Sequence, residues 1–199
     1  MYLGGNTFLL KTTAFQFSNK EFEQFCLDNK ELRIERDVEK NILIMSPTHS
    51  LSGSYNNYLG FLITQWNVAE GFPGVVFDSS TGFTLPDNSM RSPDVSWVSK
   101  EKWETLSVEQ HRSFAPVCPE FVIELKSESD LIHQLQTKME EVWLKNGTLL
   151  GLLIDPDQEI IYAYRKGSSV ERLEGFDRKV SCDPVLKGFE LDLTLLKNL

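Results

Sequence analysis

Two short segments carry the residue types that could do chemistry on an anionic substrate. One is Arg91-Ser92-Pro93-Asp94-Val95 and the other is Phe121-Val122-Ile123-Glu124-Leu125-Lys126. Proline fixes its own φ and biases the preceding residue toward extended backbone, so Asp94 should enter a strand at a defined angle. Side chains alternate along a strand, which puts Glu124 and Lys126 on one face with Val122 and turns Ile123 and Leu125 to the other. An acid and a base at the end of an otherwise apolar strand need a local reason to be there. Hydrolysis of a phosphodiester supplies one. A water must reach an anionic phosphorus, and the added negative charge must be stabilised. Mg²⁺ or Mn²⁺ does both, and these hard ions take carboxylate oxygens, water and phosphate. The expected site has Asp94 and Glu124 as metal ligands and the Leu125 backbone carbonyl as a further ligand. Lys126 would orient or help deprotonate the attacking water and stabilise the developing charge. Pro-Asp alone and Glu-x-Lys alone are commonplace at turns and on exposed strands. Their combination is stronger, because the thirty positions from 94 to 124 let the chain go out and return on a neighbouring strand.

The elements that must position these residues are legible in outline. Ser18 with Glu21 fits a capping box, and Phe22 and Phe25 follow at helical spacing. Residues 32–35 and 41–45 read as a hairpin around the polar turn at Asp37. From His49 to Trp66, Leu51, Tyr55, Tyr58, Leu59, Leu62 and Trp66 recur by three and four, the pattern of a long amphipathic helix. Strands are expected at 75–78, 83–85, 95–98 and 121–126. Asp130 then caps a helix to about Lys145 with Leu131, Leu135, Met139 and Val142 inward. Asn146-Gly147 stops that helix. Residues 149–154 read as a buried strand and 160–165 as an alternating one. The unit from Phe121 to Asp155 should be a parallel strand-helix-strand crossover. The order predicts an α/β sandwich with a central mixed sheet flanked by helices.

Bulk properties bound the rest. The 199 residues suit one domain, with an N-terminal helix and hairpin at 18–46, a core at about 47–165 and a tail at 166–199. A content of 41% hydrophobic and 25% charged residues is that of an ordinary globular chain. No apolar run approaches the ~20 residues needed to cross a membrane, and no secretory signal is visible. Cys26, Cys118 and Cys182 form neither a disulfide framework nor a zinc pattern, which suits a reducing cytoplasm. A net charge of −9 argues against a protein that grips nucleic acid over a broad basic face. Clustered basic groups, a dimeric groove or a metal could supply the positive charge locally.

At these residues the chain resembles the PD-(D/E)XK nuclease superfamily, with Pro93-Asp94 at the first motif and Glu124-Leu125-Lys126 at the second. Within it the chain resembles the Uma-type restriction endonuclease family. That resemblance extends through 41–47, Ser79 to Asp87, Leu135 to Met139, Asn146-Gly147 and Leu152 to Pro156. It implies a restriction-endonuclease-like fold, a Mg²⁺-dependent site and a DNA-type substrate. It also implies Asp94 and Glu124 as metal ligands and Lys126 as the catalytic lysine. Some superfamily members add a carboxylate from the first core helix, but 49–66 contains neither Asp nor Glu.

Lys138 and, one turn before it, Gln134 lie at the edge of the apolar stripe, where they could contact substrate phosphate or form a solvated flank. Asp78 reads as a turn cap, Asp155-Pro156-Asp157 as a turn, and the three histidines as surface residues. The absence of G-x-S-x-G, Walker and dinucleotide fingerprints leaves no organic cofactor expected. The leading expectation is a metal-dependent endonuclease acting on DNA as a homodimer. The alternatives are an inactive nuclease fold binding nucleic acid or a protein partner, and a phosphoesterase of small substrates.

Overall fold

The computed structural model describes residues 7–12 and 16–198. The first residues, on which the reading of a missing secretory signal rests, lie outside the described residues. The chain opens with β1 (Thr7–Leu10), α1 (Asn19–Asp28), β2 (Arg33–Arg36), β3 (Ile42–Met45) and the long α2 (Ser50–Ala69). It continues through β4 (Gly74–Phe77), β5 (Phe83–Thr84), β6 (Met90–Arg91), β7 (Val95–Ser99) and the one-turn helices α3 (Lys100–Trp103) and α4 (Val108–His111). Then come β8 (Phe121–Leu125), α5 (Ile132–Thr137) running into a π-helical segment (Lys138–Leu144), β9 (Leu150–Asp155) and β10 (Ile160–Arg165). The tail holds β11 (Glu171–Glu174), β12 (Lys179–Ser181), β13 (Glu190–Asp192) and a 3₁₀ turn (Thr194–Asn198).

The central sheet has the order β11-β10-β9-β8-β7-β4. Within it β8 and β9 pair in parallel, Leu125 opposite Ile154, and the other neighbours run antiparallel. A second, antiparallel sheet has the order β1-β3-β2-β6-β5. This is the expected mixed α/β architecture. The capping box at Ser18 and Glu21 forms, the 33–45 hairpin pairs in register, and the strand-helix-strand unit is parallel. The short strands β1 and β6, absent from the sequence reading, add the outer pairs of the second sheet.

Alternation in β8 divides the core. Phe121, Ile123 and Leu125 pack with Leu59 and Ile63 of α2, whereas Val122 joins Met139 and Trp143 of the helix following β8. Glu124 therefore faces that helix. The apolar face of α2 is rotated from expectation: Leu59 and Ile63 are fully buried, Tyr55, Tyr58, Leu62 and Trp66 flank them, and Leu51 is exposed.

The helix after β8 departs most from its expected form. Leu131, not Asp130, is its N-cap, and Asp130 instead accepts from the Ser127 amide and hydroxyl at 2.8 and 2.6 Å. Met139 is fully buried as expected and Leu135 and Val142 pack beside it, but the π-helical turn adds Trp143 to the buried positions, and Leu131 is left 45% exposed. A pattern counted at 3.6 residues per turn cannot register such a widened turn.

Asn67 of α2 ties β4 to β7. Its amide donates to the Gly74 carbonyl at 3.1 Å and its oxygen accepts from the Trp97 indole at 3.0 Å. A Cβ at Gly74 would overlap the Val98 carbonyl and the Trp97 indole. Overpacking of this kind costs about 1–3 kcal/mol. Gly74→Ala should lower the thermal midpoint by roughly 2–4 °C per kcal/mol for a chain of this size, and differential scanning calorimetry checks it.

Candidate active site

The site begins at the join between Pro93 and β7. The Asp94 amide donates to Ile123 O at 3.1 Å, which seats the residue against β8. Its side chain is 13% exposed. One carboxylate oxygen accepts from the Leu125 amide at 2.8 Å. The other accepts from Asn56 Nδ2 of α2 at 3.3 Å and lies 3.8 Å from Arg33 Nη2. Asp94 is thus pinned to the backbone of the residue that follows Glu124.

The Glu124 side chain is 5% exposed. Trp143 Nε1 donates to Oε1 at 2.7 Å, and Lys138 Nζ donates to Oε2 at 2.9 Å while lying 2.8 Å from Oε1. The π-helical turn explains how both donors reach one carboxylate. Lys138 and Trp143 are five positions apart, which on a regular α-helix is about 140° around the axis. One extra residue per turn brings them close to a common face. The Lys138 ammonium also sits 5.9 Å from the Trp143 ring centroid.

A third carboxylate, missed by the sequence reading, comes from the second sheet. Glu35 on β2 is buried, pairs with Arg91 Nη1 at 3.1 Å and accepts from the Ser92 amide at 3.0 Å. It anchors the chain two residues before Asp94. The three carboxylates, Asn56, Arg33, Arg91, Lys138 and Gln134 all line one cavity of about 490 Å³.

Burial dominates the electrostatics. Desolvation raises the Glu124 carboxyl to about 7 against the pull of Lys138, and the nearby Asp94 charge pushes the same way. Desolvation also raises Asp94, opposed by the Leu125 amide, Arg33 and Lys138. Burial works against the Lys138 charge, but Glu124, Glu35 and Asp94 outweigh it and hold the ammonium above its ordinary range. For Glu35, the desolvation cost is overcome by Lys138, Arg91 and Arg33, which hold it below the usual carboxylate range.

Lys126 does not join this group. Its ammonium lies 2.9 Å from Asp157 and 3.7 Å from Asp155, and it is missing from the cavity wall although Leu125 and Ser127 belong to it. The parallel register is the reason. The Lys126 amide donates to Ile154 O at 2.8 Å, so the residue emerges beside the turn that leaves β9. The expected convergence of Asp94, Glu124 and Lys126 is replaced by that of Asp94, Glu124 and Lys138. Asp155 and Asp157, read from sequence as a turn alone, also neutralise Lys126.

The chain matches the family model of Uma2, described as "Putative restriction endonuclease", over residues 20–194. The chain belongs to the Uma2 family. No curated protein matches it. Its fold is that of a crystal structure from Anabaena variabilis ATCC 29413, described as a putative nuclease belonging to DUF820. The two are 19% identical with a TM-score of 0.70, over 92% of this chain and 98% of the other.

The Uma2 resemblance pointed to Leu135 to Met139, and Lys138 was the signal within it. Glu35 carried a weaker signal, a charged residue between Ile34 and the hairpin turn, which nothing in the strand pattern distinguishes from a solvated position.

The Glu124 shift has a sign that can be tested. With chelator present, the folded carboxyl keeps its proton to about 7, whereas the unfolded chain releases it near 4.5. Between those values the folded state binds more protons, so this group's contribution to stability is lost as pH rises across the window. Glu124→Gln should remove that slope. Urea unfolding of both proteins from pH ~5 to pH ~8 checks it, and parallel profiles would contradict it.

Proposed function

We propose that this Uma2 chain is a divalent-metal-dependent nuclease that hydrolyses phosphodiester bonds of DNA. In this reading Asp94 and Glu124 hold Mg²⁺ or Mn²⁺, and Lys138 supplies the ammonium beside them. The family's description and the nuclease name of the structural neighbour support hydrolysis of nucleic acid. The observation that carries the proposal is the pinning of Asp94 to the Leu125 amide, which brings it beside Glu124 in a cavity that Lys138 also enters.

The donor set fits a hard cation. Among the described residues no cage of three or more His, Cys, Asp or Glu gathers around a point. Mg²⁺ does not need one, because it keeps several waters and binds through one or two carboxylates with substrate phosphate. Asn56 Oδ1, beside Asp94, is buried without a hydrogen-bond partner, and the Leu125 carbonyl is a further oxygen at the strand end. When bound, the ion would polarise the phosphate and lower the pKa of a coordinated water.

The chain's own groups divide the remaining work. The Leu125 amide and Asn56 hold Asp94 in place, and the Trp143 indole fixes the orientation of Glu124. Lys138 is held protonated by the surrounding carboxylates. Its ammonium is placed to orient the attacking water and to stabilise charge that develops on the phosphate. Lys126 braces the turn at Asp155 to Asp157 and has no part in the chemistry.

Cleavage of supercoiled plasmid with Mg²⁺ or Mn²⁺ tests this reading. Asp94→Ala and Lys138→Ala should each lower the rate by at least ~10²-fold, and Lys126→Ala should stay within a few-fold of wild type. Equal rates in all four proteins would remove the assigned roles. DNA binding by wild type with no cleavage would favour an inactive module, a reading that the −9 net charge motivates.

A further inference from the structure

Two arginines in the cleft have no role in the chemistry above. Arg33 on β2 and Arg91 on β6 both line the cavity, and their strands are neighbours in the second sheet. Among the described residues seven buried side-chain nitrogens or oxygens lack a hydrogen-bond partner, and Arg33 Nε and Arg91 Nε are two of them. Each guanidinium is nevertheless held. Arg91 Nη1 is fixed by Glu35 at 3.1 Å, and Arg33 Nη2 reaches Ser92 O at 3.4 Å and Asp94 at 3.8 Å. Glu35 itself is buried and bonded at both oxygens, so Arg91 is presented from a rigid mount.

We infer that Arg33 and Arg91 form a second anion subsite, which takes a phosphate of the polynucleotide next to the one that is cut. The inference rests on the nuclease reading and names how the same cleft holds its substrate. A planar guanidinium offers paired donors that match phosphate oxygens. Among the described residues the hydrogen bonds of these two side chains use Arg33 Nη2 and Arg91 Nη1, which leaves Arg33 Nη1 and Arg91 Nη2 as donors for a phosphate. The subsite also answers a difficulty posed by the net charge of −9. With no excess of basic residues to draw a polyanion to a broad face, the attraction must come from a few cations at the cleft, and Arg33 and Arg91 line the same cavity as Lys138.

The test is metal-free binding, separate from catalysis. A fluorescein-labelled DNA duplex is titrated in EDTA across a KCl series and followed by anisotropy. Each phosphate contact contributes about 0.9 to the slope of log K against log salt. Arg33→Gln should reduce the slope by about 0.9, and Arg33→Lys, which keeps the charge, should restore it. Removing Arg91 alone would leave Glu35 buried and unpaired, so Glu35→Gln and Arg91→Gln are combined. That double variant should also lose about 0.9, with its thermal midpoint confirming that it is folded. Unchanged slopes in folded variants, with wild type still cutting plasmid, would overturn the subsite and leave the nuclease reading standing. A wild type that neither binds the duplex nor cuts plasmid would overturn both.

Discussion

Glu124 must be kept satisfied while buried in the central sheet, and much of the surrounding structure follows from that requirement. It is next to last in a strand whose other residues are apolar and buried. Isolated carboxylates in such surroundings cost several kcal/mol or take up a proton. Here the helix that packs on β8 supplies an indole N–H and an ammonium to the one carboxylate. The π-helical turn allows both donors to come from a single segment. Unusual helical turns often occur where a helix must present side chains that regular spacing would separate.

A second constraint ties the two sheets together at the site. Asp94 is fixed from three directions: its own amide bonds to β8, its carboxylate bonds to the Leu125 amide, and Glu35 clamps the Ser92 amide upstream. Short backbone-to-carboxylate bonds give a well-defined position because the backbone has little freedom to move. The proposed metal site, with only two carboxylates, would need that precision, since neither ligand could swing to compensate for a misplaced partner.

The acidic net charge and the nuclease reading are compatible because charge acts locally inside a cleft. Glu35, Asp94 and Glu124 line the cavity beside their own cations, Glu35 paired with Arg91, Asp94 near Arg33 and Glu124 paired with Lys138. With all six groups ionised such a wall is close to neutral, and the proposed ion would make it positive. Negative charge elsewhere on the surface is screened within about 8–10 Å at physiological salt.

From the sequence alone the α/β class, the helix from the Ser18 capping box, the 33–45 hairpin, the long second helix and the parallel strand-helix-strand unit could be read. These rest on local patterns: caps, alternation and 3.6-residue spacing. The motif carboxylates Asp94 and Glu124 were legible for the same reason, since proline and an apolar strand mark their positions. Which lysine accompanies them was decided only by tertiary structure. Strand alternation put Lys126 on the face of Glu124, but the register of β8 against β9 delivers it to Asp155 and Asp157. Helical spacing left Lys138 at the edge of a stripe, and the widened turn carries it to Glu124. Glu35 and Arg91 likewise gain their places from the pairing of β2 with β6. Register and helical winding depend on long-range packing energies, which no short window of sequence contains.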